Sequence, residues 1–175
     1  NQRIRYVVPD SINLTNDSQQ TAFYLPWVSA LAGDLTIADN PNLTTVDMSA
    51  LTSVGGSLDA SDNASVSSLD LGALTTVGGS LDASSNASLS SLDLSALTTA
   101  SGDLDLSGNT AAAAIGLGSL TTVGGDLILS GNTNVGAINM GSLTTVSGDL
   151  TITSNAPDAV VDLNSLTAFG CGANE

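Results

Sequence analysis

The chain has 175 residues, with 17 carboxylates set against two arginines, no lysine and no histidine, for a formal net charge of −15. Nothing in it can neutralise a run of phosphates, which excludes nucleic acid as a partner and disfavours an anionic membrane surface. Apolar residues make up 42% but aromatics only 3%, so with 18 glycines and abundant Ser, Thr, Asn and Asp the composition describes many short, tightly turned elements around an aliphatic core, and not a disordered chain.

In chain order, the stretch 1–27 differs in kind from the rest. It holds Arg3 and Arg5, both tyrosines, Trp27 and one of the two phenylalanines. The chain opens on Asn1 rather than Met, the expectation for a processed, secreted chain, and no run of about 18 apolar residues predicts a membrane span. A strand is predicted at "RIRYVV", from Arg3 to Val8, followed by a cap in which Phe23, Tyr24, Leu25 and Trp27 cover the core of the first coil.

From Val28 the chain repeats. Six full units of one length occupy 28–50, 51–73, 74–96, 97–119, 120–142 and 143–165 without an insertion; the second and third are identical at 19 of 23 positions. A fixed period of this length marks an array in which each unit packs only on its neighbours. Apolar residues recur at positions 1, 4, 8, 10, 16, 19 and 21, which in the third unit are Leu74, Val77, Leu81, Ala83, Leu89, Leu92 and Leu94. The pairs at 8 and 10 and at 19 and 21 alternate with polar residues in the period of two that short strands require. No unit offers a Gly-free helical pattern of sufficient length; "TAAAAIGL" from Thr110 reads as a locally small coil. The fold predicted is all-β, a right-handed parallel β-solenoid over 28–175 with an N-terminal arm and cap over 1–27.

Outside the apolar set, two positions are invariant in the six units. Position 6 is Gly (Gly33, Gly56, Gly79, Gly102, Gly125, Gly148), read as a corner whose conformation a side chain would obstruct. Position 13 is Asn (Asn40, Asn63, Asn86, Asn109, Asn132, Asn155), read as an inward ladder that bonds to backbone groups at a bend and to its equivalents in adjacent coils.

The coils beginning "LAGDLTIADNPNLTTVDMSALTSVGGSLDAS" at Leu31, with their recurring "LTTVGGDLxIxxN" and "LxxLDLS", resemble the leucine-rich coils of the receptor L-domain family, found in receptor-kinase ectodomains and fungal cell-wall proteins, with bacterial relatives. The likeness covers 28 to about 170. It implies an extracellular β-helix serving walls, adhesion or recognition without catalysis. The family's disulfide-bonded ends and irregular coils are missing from this sequence, which sets the chain apart from ligand recognition of the receptor kind.

Polar rows run along the rod. Asp59, Asp82 and Asp105 share position 9 and Asp47, Asp70 and Asp93 share position 20, so carboxylates stack roughly 5 Å apart and repel. Calcium bridging is one reading of them, and hydration with salt screening on an open face the other. Thr52, Thr75, Thr98, Thr121, Thr144 and Thr167 share position 2, and Thr76, Thr99, Thr122 and Thr145 share position 3. Such rows suit a half-exposed strand, and on a flat face they also suit ice or a glycan. Sequons stand at Asn13, Asn16, Asn42, Asn63 and Asn86; the last two fall in the predicted buried ladder, which leaves the first three as glycosylation candidates in a eukaryotic source.

No catalytic residue, cofactor or nucleotide loop is predicted: "GLGSLTTVGG" at Gly116 lacks the third glycine and the helix such a loop needs. A carboxylate pair alone can cleave a glycoside, but the abundant Asp residues recur at repeat positions, as a scaffold surface would have them. The chain closes on a partial seventh unit, "LTAFGCGANE" from Leu166, whose Cys171 reads either as a buried small residue or as a cross-link to another molecule. The expected function is an extracellular structural subunit that joins its own kind head to tail, through Arg3, Arg5, Tyr6, Val7 and Val8 at one end and Phe169 and Cys171 at the other. The alternative is a monomeric recognition module that presents a Thr or Asp face to cell-wall glycan, protein or ice.

Overall fold

The computed structural model describes residues 10–170. They form a β-solenoid. Among them there is no helix, hence none long and apolar enough to cross a membrane, and each strand is paired in parallel with its equivalent in an adjacent coil. The backbone groups of these short strands are satisfied between coils, as parallel stacking demands.

Each coil contributes a strand to three faces. The first face, at positions 8 and 9, runs Ile12–Thr15, Leu35–Ala38, Leu58–Asp59, Leu81–Asp82, Leu104–Asp105, Leu127–Ile128 and Leu150–Thr151. The second, at positions 3 and 4, runs Ala30–Leu31, Ser53–Val54, Thr76–Val77, Thr99–Ala100, Thr122–Val123, Thr145–Val146 and Ala168–Phe169. The third, at positions 18 to 20, is divided: Ala22–Tyr24, Thr45–Asp47 and Ser68–Asp70 form one sheet, and Leu92–Asp93, Ala114–Gly116, Ala137–Asn139 and Val160–Asp162 another.

The predicted core positions are the observed ones. In coil 74–96 all seven apolar side chains are at most 1% exposed. Ala112 takes position 16 in the small coil and is buried there, and the expected helix-free reading of 110–117 holds, with a strand at Ala114–Gly116.

One expectation is corrected. The cap over 1–27 is, where described, a further coil of the same period: Ile12–Thr15 lies in register on Leu35–Ala38, and Ala22–Tyr24 on Thr45–Asp47. Ile12, Leu14, Phe23 and Leu25 fall on positions 8, 10, 19 and 21 and pack on the core, whereas Tyr24 and Trp27 fall on outward positions and are 55% and 64% exposed, so neither covers it. Position 6 is the expected bend that a side chain would obstruct, since a Cβ there would meet atoms of the coil before, but the left-handed corner lies elsewhere. It is at position 12, where Asn16, Asp39, Asp62, Ser85, Gly108, Gly131 and Ser154 take φ between 54° and 73°. Asn, Asp and Gly tolerate that conformation best, which is why the position drifts among small polar residues instead of being fixed as Gly. Arg3, Arg5, Tyr6, Val7, Val8 and Cys171 lie outside the described residues.

Candidate functional site

The Asn ladder is built as the sequence predicts. Asn40, Asn63, Asn86, Asn109 and Asn132 are buried, and each Oδ1 from Asn63 onward accepts the backbone N–H of the Asn one coil earlier, at 2.9–3.1 Å, ending with Asn132 N–H on Asn155 Oδ1 at 3.0 Å. Each Nδ2 in the buried run donates to carbonyls at the bend, as Asn86 does to Ala83 at 3.0 Å and to Ala60 in the coil before at 2.9 Å. At the N-terminal end the ladder begins on Asp17, whose N–H donates to Asn40 Oδ1 at 2.9 Å. At the other end, Nδ2 of the half-buried Asn155 is a buried donor without an acceptor.

The outer rows are committed to the backbone. Position 2 hydroxyls donate to the carbonyl one coil back: Thr52 to Ser29, Thr75 to Thr52, Thr98 to Thr75, Thr121 to Thr98, Thr144 to Thr121 and Thr167 to Thr144, at 2.8–3.0 Å. A hydroxyl has one hydrogen, so this row offers solvent only lone pairs. Thr76, Thr99, Thr122 and Thr145 stand in register on the second face. Asp59, Asp82 and Asp105 accept the N–H of the residue two further on at 2.9–3.0 Å, and Asp47, Asp70 and Asp93 do the same at 2.9–3.3 Å, each closing a turn. Ser95, through its hydroxyl and its N–H, holds the Asp93 carboxyl below its ordinary range. Among the described residues no group of three acidic side chains converges to hold a metal ion. Of the sequon asparagines, Asn63 and Asn86 are buried and Asn13, Asn16 and Asn42 exposed.

A further polar row escaped the sequence reading. Position 7 carries Ser11, Asp34, Ser57, Ser80, Asp103, Asp126 and Asp149, and each side chain up to Asp126 accepts the N–H of the same position one coil later, as from Asp126 to Asp103 Oδ1 at 2.8 Å and from Asp149 to Asp126 Oδ1 at 2.8 Å. The signal was present: every Gly at position 6 is followed by Asp or Ser.

The third face carries a breach. Between Ser68–Asp70 and Leu92–Asp93 the ladder is open, and a groove of about 290 Å³ is lined there by Ser67, Ser68, Leu69, Asp70, Ser90 and Asp93, among others. Elsewhere along the repeats of this face, position 19 is β-branched (Val46, Ile115, Ile138, Val161); at the breach it is Leu69 and Leu92, preceded by Ser67–Ser68 and Ser90–Ser91. Leucines of lower strand preference weaken pairing on both sides at once, and the serine hydroxyls bond from coil to coil, Ser67 to the Thr44 carbonyl at 3.3 Å and Ser90 to the Ser67 carbonyl at 3.5 Å.

Among the described residues, both ends of the rod stop at an unpaired strand edge. Ile12–Thr15, Ala22–Tyr24 and Ala30–Leu31 are the outermost strands at one end, and Leu150–Thr151, Val160–Asp162 and Ala168–Phe169 at the other. Ile12, Leu14, Phe23 and Leu25, and at the far end Leu150, Ile152, Val161 and Leu163, are only partly buried although they continue the core. Of the predicted assembly residues, Phe169 lies on this C-terminal edge, paired beside Val146 and 63% exposed. Comparison with family models, with curated proteins and with solved structures finds no match for this chain.

Proposed function

We propose that this chain is a non-catalytic structural subunit of an extracellular assembly, joined end to end with copies of itself into a filament or surface layer. The supporting observation is the pair of open ends: on all three faces the described solenoid stops at an outermost strand over partly exposed aliphatic core, and such edges template pairing with another chain. Contacts between two different ends propagate without closing. The Asn ladder and the rows at positions 2 and 7 support the same reading, because their hydrogen bonds run from coil to coil and serve geometry. Sedimentation and negative-stain microscopy over a concentration series test it. Rods that lengthen with concentration are expected, and a monomer at millimolar concentration would rule the reading out.

The breach favours a second reading, a recognition module for cell-wall glycan. Its serine hydroxyls, two carboxylates and apolar floor at Leu69 match the mixed polar and apolar faces of a sugar ring. Amide shift changes at Ser67–Gly72 and Ser90–Asp93 on titration with soluble glycans would support it, and shifts scattered along the rod would not.

A further inference from the structure

Of the large hydrophobic side chains exposed among the described residues, Tyr24 and Trp27 lie within one turn of chain, at the end of the strand Ala22–Tyr24 and on the corner that follows it. The Val28 N–H donates to the Leu25 carbonyl at 3.2 Å and closes that corner over Pro26 and Trp27. Proline in the second place sets the φ such a turn needs, so Trp27 is held out on a stiff corner and little entropy remains to be lost on binding. In the full units the place of Trp27 is taken by Ala50, Ala73, Ala96, Ser119, Ser142 and Ser165, so the coil itself requires no ring there. Neither the Tyr24 hydroxyl nor the Trp27 indole N–H has a hydrogen-bond partner among the described residues, and each ring offers an apolar face with a free polar tip.

From Tyr24, position 20 continues along the rod as a row of acids. Asp47 is paired beside Tyr24 and Asp70 beside Asp47, in register, each step being about 4.8 Å. Both carboxylates bond through Oδ1, to the N–H of Ser49 and of Gly72, which leaves Oδ2 without a partner among the described residues. The row then meets the groove. A Cβ on Gly72 would stand 3.7 Å from Asp70 Oδ1 and 3.6 Å from Asp93 Oδ2, so carboxylates from both sides of the breach flank one point of its lining. The third face thus carries a single strip that is aromatic, then acidic, then a cleft.

Resting on the glycan reading of the breach, we infer that this strip binds one chain of a polysaccharide whose sugars carry free amines, laid along the rod with a ring against Trp27 and Tyr24 and its amines on Asp47, Asp70 and Asp93. Each feature selects that class. The aromatic faces receive the apolar face of a sugar ring and attract an ammonium group. Carboxylates that recur from coil to coil match a ligand whose positive charge also recurs, and the net charge of −15 repels chains of uronate or sulfated sugars. A nucleobase stacks on such rings equally well, but its phosphates meet only carboxylates on this strip.

Trp27 is the only tryptophan, so its fluorescence reports this place alone. The full chain is titrated with soluble glucosamine oligomers at mildly acidic pH, where aspartates are ionised and the sugar amines charged, with N-acetylglucosamine oligomers, oligogalacturonate and oligolysine for comparison. A saturable shift of Trp27 emission is expected with glucosamine oligomers, and binding weaker by about tenfold or more with each comparison ligand. Trp27→Ala/Tyr24→Ala, which removes exposed side chains and should leave thermal unfolding unchanged, is expected to lose about tenfold in affinity, and Trp27→Phe to keep most of it. Asp47→Asn should weaken binding and reduce its dependence on salt. A comparison ligand bound as tightly as the glucosamine oligomers, or an affinity untouched by the aromatic variants, overturns the inference. Shifts of the breach amides with an unmoved Trp27 emission also overturn it and leave the breach standing as a glycan site, whereas no binding of any glycan overturns both.

Discussion

The Oδ1 of Asp103 occupies the space that a side chain on Gly125 would need, while it accepts the N–H of Asp126 at 2.8 Å. Glycine is invariant at position 6 for this reason, and no left-handed φ is involved. Gly125→Ala should destabilise by about 1–3 kcal/mol through forced displacement of a packed group. Asp103→Ala should cost about 1 kcal/mol for the lost bond. The double variant should cost less than the sum, because the cavity left by the carboxylate receives the new methyl. Urea unfolding of the four proteins measures this, and strict additivity would contradict it.

That case shows what the sequence could and could not convey. Invariance at position 6 was legible, but its cause lay almost a full coil earlier in a different row, and only stacking brings Asp103 over Gly125. The Asn ladder was legible in full, since a buried amide at every bend has few ways to be satisfied. The first coil was hidden by composition: Tyr24 and Trp27 suggested a cap, yet the spacing of Ile12, Leu14, Phe23 and Leu25 already matched the repeat. The breach was least legible, because it opens between the two most similar units; Leu at position 19 is ordinary in one coil and weakens the ladder only where two such coils meet.

Asn86 and Asn155 occupy the same repeat position in opposite circumstances. Asn86→Ala strips partners from buried backbone groups on two coils and should cost about 3 kcal/mol or more. Asn155→Ala, in the isolated subunit, removes a side chain with an orphan Nδ2 and should cost about 1 kcal/mol or less. Equal losses in thermal unfolding would show that the ladder's bonds do not carry the difference.

Ser85 and Ser154 hold φ of 59° and 57° at the corner where Gly108 and Gly131 stand in other coils. Ser85→Gly and Ser154→Gly should each stabilise by about 0.5–1 kcal/mol, the left-handed strain less the added chain entropy of Gly. A fall in stability in either variant would mean that the hydroxyls contribute more than the backbone strain costs.

Asp93 titrates below an ordinary Asp because Ser95 bonds to its charged form. A carboxyl depressed in the fold contributes its stability fully above the unfolded pKa, near about 3.9, and loses it as pH falls through the lower folded value. Carboxyl carbon shifts followed by NMR should place the Asp93 midpoint below that of a free aspartate, and Ser95→Ala should move it upward. An unmoved midpoint would assign the shift to another cause.

The breach itself can be closed by substitution if strand preference opened it. Ser68→Thr, Leu69→Val, Ser91→Thr and Leu92→Val together give these two coils the β-branched residues that Thr45 and Val46 supply in the preceding coil, whose strand is fully paired on both sides. Pairing of 68–70 with 91–93 should then slow amide exchange at Leu69, Leu71 and Leu92 by about tenfold or more, as new ladder bonds protect them. Exchange on the first face, at Leu58 and Leu81, should not change, because its ladder is already continuous there. If amides at the former breach still exchange as fast as before, the stacked carboxylates of Asp70 and Asp93 hold the coils apart, and Asp70→Asn should then close the gap where the β-branched residues did not.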